Sequence, residues 1–116
     1  MANGSYSASS NRRLKRDIKD LNPSLARIVQ LKAKQYHYID NSANDPVSYG
    51  FIAQDVKKVF PDVVKENNVK GTKTLSVDYN ALSVNAIKAI QEQQRLIVQL
   101  LKKVQLFEKQ IRKIKK

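Results

Sequence analysis

Residues 79–116 contain no proline and no glycine, so nothing in the last third of the chain interrupts a helix. Helical throughout, this stretch would run about 55–60 Å, far longer than a small preceding head needs to cover its own core. The apolar spacing explains the length. Ile90, Ile97, Val104 and Ile111 recur every seven residues, and Leu100, Phe107 and Ile114 take the d-type positions of the same heptads. Gln93 breaks the d series once, while β-branched residues hold every a position. The seven apolar residues predict a coiled-coil seam compatible with dimers or trimers, and Ile87, Leu96 and Leu101 widen it toward more than two strands. The alternative is one helix folding back on its own head. Against it, the seam continues into the last turns, where a small head has little left to cover.

The preceding residues alternate between short elements. Residues 1–9 are small and polar, and read as a flexible lead-in or the remnant of an upstream stalk. A basic run follows, with Leu14 and Ile18 spaced for one helical turn or an irregular segment laid on a core. Asn22-Pro23-Ser24 predicts a break and an N-cap, and Leu25, Ile28, Val29 and Leu31 a short amphipathic helix. Residues 34–39 and 49–53 read as strands around a loop at 40–46, and Val56, Val59 and Phe60 as an amphipathic turn stopped by Pro61. Val63-Val64 and residues 74–77 predict a hairpin, with Asn67, Asn68 and Gly71 as turn residues; Asp78 is placed to cap the long helix. The expected fold is α+β: a head of short strands and helices at 10–78, then one long helix at 79–116 forming a trimeric coiled coil.

The chemical inventory is narrow. No cysteine occurs among 116 residues, His37 is the single histidine, and three glycines form no phosphate-cradling run. Thiol catalysis, disulfide scaffolds and histidine metal clusters are excluded, and no cofactor or metal ion is expected. No apolar run approaches the roughly 18 residues that span a bilayer. What remains is a Ser-Lys dyad, in which a neutral lysine amine takes the proton of a serine hydroxyl. Lys15 stands five residues after Ser10 and beside Arg12, Arg13 and Arg16, whose charges disfavour an ammonium. Five residues do not align two side chains on one helix face, so the pairing requires an irregular backbone or a partner chain. Taken alone, these residues read more plainly as a solvated basic linker.

The order of motifs changes that. Ser10-Asn11-Arg12-Arg13-Leu14-Lys15-Arg16-Asp17-Ile18 resembles the SDxRxKxxI-type opening of the S74 peptidase family, the C-terminal intramolecular chaperone of phage endosialidases and tail fibres, also found in myelin regulatory factor proteins. The short helix and Tyr36-His37-Tyr38 resemble the family's next elements. Residues 49–56 (YGFIAQDV) with 60–64 (FPDVV) are similar to its GFIAQEV…FPELV block, and residues 75–82 (LSVDYNAL) to its LSVDYxxL approach to the final helix. The resemblance runs from Ser10 to about Leu101. Asn11 stands where the family usually has Asp, and His37 where Trp is common.

The resemblance implies a homotrimer that sets an upstream fibre or tailspike in register and then releases itself, as a single-turnover serine endopeptidase. Ser10 would be the nucleophile, beside the cut bond, and Lys15 the general base. It also implies a virion-associated precursor made in the host cytoplasm, with no small-molecule substrate and no membrane partner. His37, Tyr36, Tyr38, Tyr49 and Phe51 are expected to be structural or to pack between subunits, and Gln54 to cap or bridge chains.

Two other readings stay open. One is a passive trimerisation domain without cleavage. The other is a basic nucleic-acid module, suggested by the net charge of +12. Against the second, residues 102–116 carry seven Lys or Arg and one Glu on the same helix as the apolar seam. Three such helices would concentrate cations at one tip, weakening their association by repulsion.

Overall fold

A computed structural model of the chain describes residues 7–115; residues 1–6 of the expected lead-in, and residue 116, lie outside the described residues. Its elements are a 3₁₀ turn at Arg12–Leu14, α1 (Leu25–Ile28), β1 (Lys34–Tyr36), β2 (Ser48–Gly50), α2 (Ala53–Val59), a 3₁₀ turn at Pro61–Val63, β3 (Val64–Val69), β4 (Thr72–Val77) and α3 (Tyr79–Lys115). The fold is α+β. β1 and β2 form one antiparallel pair, Lys34 opposite Gly50, and β3 and β4 a second, Val64 opposite Val77.

Pro61 ends α2, as its ring and missing N–H require, and opens the 3₁₀ turn instead. The hairpin turn differs from the expected one. Asn67 and Asn68 lie inside β3, and Lys70-Gly71 make the reversal, at φ of 52° and 81°. A two-residue hairpin whose twist matches its strands needs positive φ at both central positions, which places the turn at the glycine. Asn67 instead donates its amide to Ser76 Oγ across the ladder at 2.9 Å.

The core is small. Val56, Phe60, Val63 and Leu82 form its buried cluster, with Ile28, Leu31, Phe51 and Val77 among the residues packed around it. Arg27 lies over the Phe60 ring, 4.3 Å from its centroid, covering the core with its guanidinium face. Asp78 caps α3 as its position predicts, accepting from Ala81 N at 3.0 Å, while its own N–H bonds Val63 O at 2.7 Å. That cap joins the hairpin to the helix in one step.

Only the first turns of α3 meet this core. Leu82, Asn85 and Ala89 are buried, Glu92 is half-buried, and every described residue beyond Glu92 is exposed. Ile90, Ile97, Leu100, Val104, Phe107, Ile111 and Ile114 are all exposed. The helix therefore does not fold back on its head. At 100° per residue the head-facing stripe and the heptad stripe lie roughly a quarter-turn apart at Ile90, so the head occupies one face and leaves its neighbour open.

Candidate active site

Ser10 and Lys15 are brought together by the first 3₁₀ turn. Asn11 caps it, its Oδ1 accepting from Arg13 N at 3.1 Å, and Leu14 N and Lys15 N close it onto Asn11 O and Arg12 O. Lys15 then returns to extended backbone at φ −121° and ψ 148°. On an α-helix a spacing of five would leave the two side chains about 140° apart. The tight turn with extended flanks folds the chain back, and Lys15 Nζ donates to Ser10 Oγ at 2.5 Å. This is the irregular backbone that the spacing demanded, within one chain.

The surroundings of the pair are open. Residues 7–23 are all exposed, Leu14 and Ile18 included, so the segment is not laid on a core as its apolar spacing suggested. The backbone gives the reason: Lys15 is already extended and Asp17 has a φ of 56°, so no helical path aligns Leu14 with Ile18. Arg16 pairs with Asp17 at 3.6 Å on the surface. The Ser10–Lys15 pair holds a hydroxyl and an amine within hydrogen-bond reach, the arrangement that proton transfer from a nucleophile requires.

The other expected residues fall into two groups. His37 Nε2 bonds Asp45 O at 2.8 Å, a structural contact that ties the end of β1 to its loop. Asp45 is held below the ordinary carboxylate value, first by the Asn41 side chain and then by the Ser42 N–H. Tyr36 is half-buried against the edge of Tyr38, ring centroids 5.4 Å apart, whereas Tyr38 and Tyr49 are exposed rather than core. Gln54 is exposed in the first turn of α2.

Three contacts were not foreseen. Tyr79 Oη accepts from Phe51 N at 3.0 Å, passing so close to Gly50 that a Cβ there would sit 2.5 Å from the hydroxyl. Ser24, expected to cap α1 with its own side chain, instead donates its buried Oγ to Asn85 Oδ1 at 2.7 Å. Glu92 does the capping, accepting from Ser24 N at 2.6 Å and Leu25 N at 3.0 Å. The available signal was the 82, 85, 89, 92 spacing, a second helical stripe containing two polar residues. No metal-binding cluster of His, Asp or Glu is present among the described residues, and no described helix is long and apolar enough to cross a membrane.

Known proteins carry a similar segment. The chain is 36% identical, over 92% of its length, to the long tail fiber protein Gp37 of Enterobacteria phage M1, and 35% identical, over 98%, to that of Enterobacteria phage Ox2. It spans 43% and 47% of those proteins, just under half of each. A "Probable tail fiber protein" of Escherichia phage Phieco32 is 37% identical over 90% of the chain, which spans 14% of it. The match to the Peptidase S74 family, described as the chaperone of endosialidase, covers residues 10–65: it begins at Ser10, holds the YGFIAQDV and FPDVV blocks, and stops before LSVDYNAL. Through that segment, the chain is similar to the Peptidase S74 family.

Proposed function

We propose that the chain is an intramolecular chaperone for tail-fibre assembly, which trimerises, sets an upstream fibre segment in register and cuts itself free at Ser10. In this reading residues 10–78 act as the head, residues 79–116 as the coiled coil, and residues 1–9 as the remnant of the stalk. The observation that carries the cleavage is the Lys15 Nζ–Ser10 Oγ hydrogen bond at 2.5 Å, in the segment where the family match begins. Trimerisation is supported by the uncovered stripe of α3 and by the small core, since a domain that buries so little gains most from association.

The two halves of the function are linked by hydration. In a lone chain Lys15 is in water and the dyad is idle. Docked copies exclude water, destabilise the ammonium and free the amine as base. Ser10 Oγ then attacks the peptide carbonyl carbon adjoining it. The Oγ–C bond forms, the C–N bond breaks, and the hydroxyl proton passes through Lys15 to the departing backbone nitrogen. Water opens the resulting ester, restoring the hydroxyl and leaving a carboxylate. Removing the template makes the folded stalk kinetically trapped, because it can no longer refold by the route that made it.

The test is the chain expressed with its upstream fibre segment, followed by denaturing gel and sedimentation. The parent should be cut beside Ser10, and Ser10→Ala and Lys15→Ala should stay full length yet trimerise. Normal cutting by Lys15→Ala would remove the dyad. An intact parent trimer would leave a passive trimerisation domain.

A further inference from the structure

We infer that Glu92 is a positioning residue, which sets the direction in which the Ser10–Lys15 segment leaves the head; its bearing on cleavage rests on the reading above. Among the described residues, the hydrogen bonds of residues 7–21 stay inside the segment: Asn11 with Arg13 and Leu14, Arg12 with Lys15, and Lys15 with Ser10. The chain's first bonds to α3 come just after the segment, at Ser24 and Leu25.

Those bonds form a closed polar network. Glu92 takes the N–H groups of Ser24 and Leu25 on one carboxylate oxygen, at 2.6 and 3.0 Å. Ser24 Oγ donates to Asn85 Oδ1, and Asn85 Nδ2 donates to Ala81 O at 3.0 Å. Ser24 and Asn85 are buried, and no buried side-chain polar atom lacks a partner among the described residues. Two backbone N–H groups on a single charged oxygen fix both the position and the tilt of the first turn of α1. Pro23 immediately before it has a locked φ, so the tilt sets the direction of the chain at Asn22, where the segment joins the head. Lys19, Asp20, Leu21 and Asn22 share a cleft with Val84, which places the root of the segment along the flank of α3. Glu92 and Asn85 lie off the heptad stripe, so this anchor and an association along the stripe use different faces.

The chain has no native cysteine, so spin labels at Arg13→Cys and Gln99→Cys report the segment's direction without background. They are read by pulsed dipolar spectroscopy in the full chain, diluted with unlabelled protein so that only distances within one chain count. The parent should give one narrow distance distribution. Glu92→Ala should broaden it, and Glu92→Gln, whose amide oxygen can accept the same N–H groups, should restore most of it. In the fibre-linked chain Glu92→Ala should slow the cut by about tenfold or more, with Glu92→Gln recovering most of that rate and the trimer unchanged. An unaltered distribution in Glu92→Ala overturns the proposal whether or not the parent cuts. So do Ala and Gln variants equally slow in proportion to lost thermal stability. Cutting by Ser10→Ala would instead break the cleavage reading and leave the distance measurement to judge Glu92.

Discussion

Two lengths of the same helix, before and after Glu92, carry apolar residues of similar kind and meet different fates. In the first four turns Leu82 and Ala89 are buried against the head, and Asn85 and Glu92 beside them are tied into it by hydrogen bonds. In the remaining turns Ile97, Leu100, Val104 and Phe107 stand in water. A soluble helix with one apolar face ordinarily buries it. Two periodicities share α3: a 3–4–3 spacing, used up inside the chain, and a heptad spacing, for which the described residues offer no partner.

The comparison can be broken most severely at the seam. Ile97→Asp would place a carboxylate at the centre of any association, costing at least ~3 kcal/mol per site. Sedimentation should show loss of the proposed trimer with the head's near-UV signal intact, and an unchanged oligomer would show that the stripe is not the contact. Phe60→Ala attacks the other region, emptying the centre of the head core for about 3–5 kcal/mol. Chemical denaturation should register that loss, while far-UV circular dichroism keeps most of the signal of α3. If the helix signal collapses with the head, the two lengths are not independent. Gly50→Ala is milder. The added methyl must displace the Tyr79 hydroxyl from Phe51 N, at about 1–2 kcal/mol, and Tyr79→Phe in that background should recover the steric part.

The smallest effect is acid sensitivity of the 40–46 loop. Asp45 has a folded value below its ordinary one, so its contribution is present above about pH 4 and fades as pH falls through the lowered value. Exchange of the Ser42 amide should quicken with acid, and Asp45→Asn should remove that pH dependence. The basic tip adds a test by salt. If repulsion among its cations opposes association, raising ionic strength should stabilise the proposed trimer.

How legible each part was follows from the range of the interactions that make it. α3 was readable almost to the residue, because the absence of helix breakers, the Asp78 cap and the heptads are all local. The stop at Pro61 was equally local. The hairpin turn was misread by a few residues because Asn67 and Asn68 are good turn formers, and only the pairing of Val64 with Val77 fixes where the reversal must fall. Leu14 and Ile18 looked like a core-facing pair since periodicity alone does not reveal that Asp17 turns the backbone left-handed.

The sequence by itself determined the α+β order, the long helix with its seven-residue apolar repeat, and the motif series that begins at Ser10. These depend on neighbours within a few turns, where spacing and propensity suffice. The 3₁₀ turn that brings Lys15 onto Ser10 is local too, but escapes helical spacing rules. Tertiary structure alone decided which face of α3 the head takes and that Glu92, 68 residues away, caps Ser24. Such contacts depend on where separate elements come to rest, and burial of the small core around Phe60 sets that for the head and α3, not any local pattern.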